Sequence, residues 1–149
     1  MALAVLFLLV VSGPLLAGGP GGRVEYIGGT LAVRDKCGGS ISSADDRALS
    51  VQLKGTNVSV PYDRINMIEY GQKVSREYLG AVLVSPLLLL AKHRKHFLTV
   101  GFTDDNGHQQ AMVFRVDKRD IRHVLVSLEA RTGRKVVYQD EEARKAGKG

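Results

Sequence analysis

The sequence predicts a mainly β domain, α+β by content, with about six to seven strands and one C-terminal helix. Two observations carry this. Apolar residues alternate at period two through most of the chain, and turn-forming residues punctuate those runs. The pattern then changes once, to helical spacing, at Ile121, Val124, Leu125 and Leu128. The 149 residues, 44% hydrophobic and 24% charged, fit one domain with a real core.

Taken in order, Met1 to Ala17 is an apolar stretch ending on a small residue and followed by GGPGG. It reads as a secretory signal peptide or N-terminal anchor with a Gly-rich linker over residues 1–22, a mis-assigned start being the other alternative. Ser12-Gly13-Pro14 breaks it, which makes it marginal as a spanning helix. The domain is expected over residues 23–139, and Asp140 to Gly149 as a charged flexible tail.

Val24 to Val33 reads as the first strand, interrupted at Gly28-Gly29, and Asp35 to Asp46 as loop, with Cys37-Gly38-Gly39 in a turn. Leu49 to Leu53 alternates and Lys54-Gly55-Thr56-Asn57 turns the chain into Val58-Ser59-Val60, giving a hairpin that Pro61 ends or confines to an edge. Ile65 to Tyr70 is a further strand after a corner at Asp63-Arg64, closed by Gly71. Phe97 to Thr103 and Gln109 to Val116 flank Asp104-Asp105-Asn106-Gly107, whose Asn-Gly pair supplies positive φ, and form a second hairpin. Asp117 is placed to cap the helix and Gly133 to end it, and Lys135 to Tyr138 adds a short strand.

Between the two strand groups lies YLGAVLVSPLLLLAKHRKH. Its apolar run, Leu79 to Ala91, is an insertion too short to span a bilayer and is interrupted by Pro86. The run meets the basic cluster Lys92, His93, Arg94, Lys95 and His96. Leu87, Leu88, Leu89 and Leu90 with these five residues are the candidate contact surface, for a membrane or a protein partner. Apolar groups beside cations suit an anionic lipid interface. Packing of the leucines into the core, or into a partner's groove, are the alternatives.

Charge is uneven: from Lys92 onward 13 Lys and Arg face 8 Asp and Glu, whereas 8 face 7 before it. The net charge of +6 favours anionic partners. Arg115, Lys118, Arg119, Arg122, Arg131, Arg134 and Lys135 could form one basic face, and the alternative function is a cytoplasmic basic module for nucleic acid or an acidic protein. Export would remove nucleic acid from reach.

The sequence contains no nucleophile elbow, P-loop or His-Glu-x-x-His motif, so no catalytic residue is assigned and no enzyme is expected. Cys37 is the only cysteine, which rules out an intrachain disulfide and a multi-cysteine zinc site. His93 and His96 would point to opposite faces of a strand, and His108 and His123 are expected at the surface. No metal and no cofactor is expected.

The stretch Val58-Ser59-Val60-Pro61-Tyr62-Asp63-Arg64-Ile65-Asn66-Met67-Ile68-Glu69, with the closing hairpin and helix over Phe97 to Thr132, resembles bacterial pleckstrin-homology-like (PH-like) and GRAM-like domains. The resemblance covers residues 24–138. It implies an antiparallel barrel or sandwich closed by one C-terminal amphipathic helix, acting as a non-enzymatic binding or scaffolding module, often at membranes. The expected setting is exported, periplasmic or envelope-associated.

Overall fold

The computed structural model describes residues 21–33, 36–72 and 96–148. The signal or anchor reading of residues 1–17, the apolar insertion 79–91 and the basic residues 92–95 lie outside the described residues. The strands are β1 (Gly21–Gly29), β2 (Cys37–Ser42), β3 (Ala48–Leu53), β4 (Thr56–Pro61), β5 (Ile65–Gly71), β6 (Phe97–Thr103), β7 (Gln109–Val116) and β8 (Val137–Tyr138). The helices are α1 (Ile121–Thr132) and α2 (Glu141–Lys148), with a 3₁₀ turn at Tyr62–Arg64.

The chain is mainly β, as its alternation predicts. The eight strands form one mixed sheet, not closed, in the order β4-β3-β2-β1-β7-β6-β5-β8. Every pairing is antiparallel except β5 with β8. Strand β1 joins the two halves, pairing β2 on one side and β7 on the other, with a register shift between Tyr26 and Gly28.

Both expected hairpins form. Val51 opposes Val58 in the first, and Val100 opposes Met112 in the second. Asp104 organises the second turn: its Oδ1 accepts from the backbone N–H of Asn106 (2.9 Å) and His108 (2.8 Å), while Gly107 takes φ 80°. This is local turn chemistry of the kind aspartate and glycine favour.

Three expectations are corrected. Cys37-Gly38-Gly39 is not a turn but the start of β2. Its glycines disguise it, and one is required: a Cβ on Gly39 would collide with the Gln52 carbonyl on the neighbouring strand. Gly21 and Gly22, placed in the linker by composition, pair with Ser42 and Ile41 as the first residues of β1. The C-terminal residues are helical, because Asp140 Oδ1 caps Ala143 N–H at 2.7 Å, and Ala143 is fully buried.

The helix cap also shifts, by three residues. Asp117 holds a turn before the helix, its carbonyl accepting from Asp120 and Ile121, and Asp120 occupies the N-cap position. The Asp120 side chain instead accepts from Arg23 N–H at 2.9 Å, which ties the start of α1 to β1. Gly133 ends α1 in the left-handed region, φ 69°, as its position predicts.

One face of the sheet carries the core. Tyr26, Leu49, Ile68, Leu98 and Phe114 pack there against Val124, Leu125 and Leu128 of α1, and Ala143 of α2 joins them. No helix among the described residues is long and apolar enough to cross a membrane.

Candidate functional site

The predicted contact segment meets the described structure at its last residue, His96. The other eight residues expected there, Leu87 to Leu90 and Lys92 to Lys95, lie outside the described residues. His96 precedes β6, whose pairing with β5 sets Tyr70 opposite Leu98. That register brings the His96 ring onto the Tyr70 ring, with centroids 5.4 Å apart and planes at 26°. Tyr70 also meets Tyr138 edge to face at 6.5 Å. Burial pushes the Tyr70 phenol up to about 12, with a smaller contribution from Tyr138. Among the described residues, His96 Nε2 is buried without a hydrogen-bond partner.

The stack lies between two adjoining hollows. One, of about 610 Å³, has Arg23, Glu25, Arg115 and Asp117 among its walls; the other, of about 630 Å³, has Arg122, His123 and Glu142. Tyr70, His96, Lys118 and Arg119 line both, making one cleft between the sheet end and the start of α1.

The charges in the cleft are of two kinds. Arg119 is committed to Asp117, with Nε and Nη2 each 3.1 Å from its carboxylate. That side-chain pairing, followed by the Arg119 backbone N–H, holds the Asp117 carboxyl at about 2. Arg115 is likewise paired with Glu25. Lys118 and Arg122 are exposed and make no ion pair among the described residues.

The seven basic residues that sequence grouped as one face are therefore divided. Arg115, Lys118, Arg119 and Arg122 line the cleft. Arg131 pairs with Asp46, Arg134 Nε donates to the Ile65 carbonyl at 2.6 Å, and Lys135 is exposed. These three lie toward the other end of α1. The residues that sequence reasoning missed are Tyr70, read only as a strand residue, and Arg23, which precedes the expected first strand. Nothing in their local sequence separates them from core and rim positions.

The lining offers cationic donors and an aromatic stack, and no hydroxyl or thiol nucleophile of Ser, Thr or Cys among the described residues. It suits a phosphate or carboxylate group held by charge. Among the described residues no cluster of three His, Cys, Asp or Glu side chains is placed to hold a metal ion. Compared with protein-family models and with curated protein sequences, the chain matches none.

Proposed function

We propose that this chain is a non-enzymatic binding module that engages anionic lipid headgroups at the bacterial cell envelope through the basic cleft. The observation that carries the reading is the pair of uncommitted cations, Lys118 and Arg122, beside His96, the last residue of the Lys92–His96 basic cluster. Each cation near an anionic membrane contributes about 1 kcal/mol, so such a grouping gives reversible surface binding. The apolar Met1–Ala17 stretch supports an exported or tethered setting.

A PH-like frame is part of this reading. Its support is the arrangement in which β1 joins β4-β3-β2 to β7-β6-β5, with α1 packed on the core after the last hairpin.

The test is co-sedimentation of the full chain with phosphatidylserine-rich and with phosphatidylcholine vesicles. Binding to the first and not the second, weakened by salt, is expected. Equal behaviour on both, or tight binding to nucleic acid or an acidic protein with none to vesicles, overturns the reading.

A further inference from the structure

A groove of about 370 Å³ lies on the solvent side of α1, between that helix and the end of α2. Arg122 and His123 stand in its wall and also in the wall of the basic cleft, so the groove continues the cleft around the helix. Its further walls include Val126, Tyr138 and Lys148. Helical spacing explains the arrangement. Ile121, Val124, Leu125 and Leu128 are buried, which turns Arg122 and Val126, four residues apart, toward solvent together. Val126 is 62% exposed and Val137 55%, and these are the large apolar side chains exposed among the described residues.

A lone surface valine carries no message. Val126 differs because of its company. One turn away is the exposed Arg122, and across the groove Lys148 Nζ sits 5.4 Å from the centre of the Tyr138 ring. Neither Arg122 nor Lys148 makes an ion pair among the described residues. The carboxylate in the groove's wall, Glu129, accepts from the Val136 backbone N–H at 2.8 Å. The groove therefore sets cations on either side of an aliphatic and an aromatic side chain. A stable protein interface needs about 1,000 Å² of buried surface, and one valine with one tyrosine ring is a small core for that. The same set matches the boundary between anionic headgroups and acyl chains. There an aliphatic group enters the acyl edge, a tyrosine lies at headgroup depth and long cations reach the phosphates.

We propose that the exposed ridge of α1 meets an anionic bilayer, with Val126 and the Tyr138 ring entering the headgroup–acyl boundary while Arg122 and Lys148 hold lipid phosphates. The inference rests on the lipid reading of the cleft and deepens it. It orients the domain with α1 toward the lipid, and it adds to the charge attraction an apolar contact that salt does not screen.

The sequence contains no tryptophan, so Val126→Trp in the full chain places a single fluorophore at the contact. Val137→Trp places one at the other exposed valine, which is not among the walls of the groove. Phosphatidylserine-rich vesicles should shift the Val126→Trp emission to the blue and make it quenchable by brominated acyl chains, and should leave the Val137→Trp emission unchanged. Val126→Gln removes no charge, so it should weaken binding to the same vesicles by about tenfold, the factor that burying a valine side chain represents, with an unaltered salt dependence. An unshifted Val126→Trp emission on vesicles that the protein binds overturns this inference and leaves the cleft reading standing. Absence of wild-type binding to the vesicles overturns both. An equal shift at Val137→Trp, or a shift produced by inorganic phosphate alone, overturns the inference. So does a shift that grows with protein concentration without vesicles, which would put a second copy in the groove. Should Val126→Trp disturb the fold by circular dichroism, Val126→Gln decides: undiminished vesicle binding overturns the inference.

Discussion

Reversing both uncommitted cations, Lys118→Glu with Arg122→Glu, should abolish vesicle binding while leaving the fold intact. Both side chains are exposed and neither makes an ion pair among the described residues, so no ion pair among those residues is lost. Each cation contributes about 1 kcal/mol at an anionic surface, and reversal exchanges that attraction for comparable repulsion, about 2 kcal/mol per site. The pair then costs about 4 kcal/mol, close to a thousandfold in affinity at low salt. The matched control is Arg47→Glu with Lys135→Glu, which changes net charge equally at the other end of α1, where Arg131 pairs with Asp46. From Arg122 to Arg131 the helix rises roughly 14 Å. That exceeds a Debye length of about 8 Å at physiological salt, so the control should weaken binding by less than about tenfold. Flotation on phosphatidylserine-rich vesicles across a salt series reads both. Wild-type binding by the cleft variant, or an equal loss in the control, refutes the reasoning: binding would then follow net charge and not the cleft.

Phe114→Ala should cost about 3–5 kcal/mol in urea unfolding, since it empties a fully buried site and removes the edge-to-face contact with Tyr26 at 5.9 Å. Phe114→Leu, which refills most of the volume, should cost less than half as much. Truncation after Gln139 and Ala143→Asp should destabilise alike, by about 1–3 kcal/mol, because each undocks α2 from the core. Unchanged midpoints would mean that α2 contributes nothing to stability. Asp104 is held below the usual carboxylate value, chiefly by the His108 N–H and also by the Gln110 side chain and Asn106 N–H. A carboxyl depressed in the folded state stabilises above its unfolded pKa and loses that stabilisation as pH falls through the folded value. Melting temperature should therefore fall from about pH 5 toward pH 2, and Asp104→Asn should lower the plateau and flatten that limb. An unaltered slope would show that the turn carboxylate is not the linked group.

Much of the fold was legible because its signals are local. The Asp104–Gly107 turn and the Gly133 stop depend on the backbone preferences of single residues, and the hairpin and helix around them form where those residues stand. Strand β2 was not legible. Gly38, Gly39 and two serines carry no strand pattern, and Gly39 is explained only by the Gln52 carbonyl of the neighbouring strand. Helix α2 was missed for the opposite reason. Its charges describe its solvent side, while small residues, Ala143 and Gly147, make its packed side, with Gly147 set against Tyr138 and Leu125.

The candidate site divides the same way. The amino-acid sequence determined a mainly β chain with a C-terminal helix, a surplus of positive charge from Lys92 onward, and one apolar segment, ending at Ala91, joined to a basic one. These features follow from composition and from periodicity along the chain, which need no tertiary contact to be read. Only the tertiary structure decided which cations are without an ion pair among the described residues. Arg119, Arg115 and Arg131 are neutralised by Asp117, Glu25 and Asp46, while Lys118 and Arg122 are left beside His96 on Tyr70. The physical reason is that strand register and helix docking bring the ends of β1, β5 and α1 together from distant parts of the chain, and charge pairing depends on that distance in space.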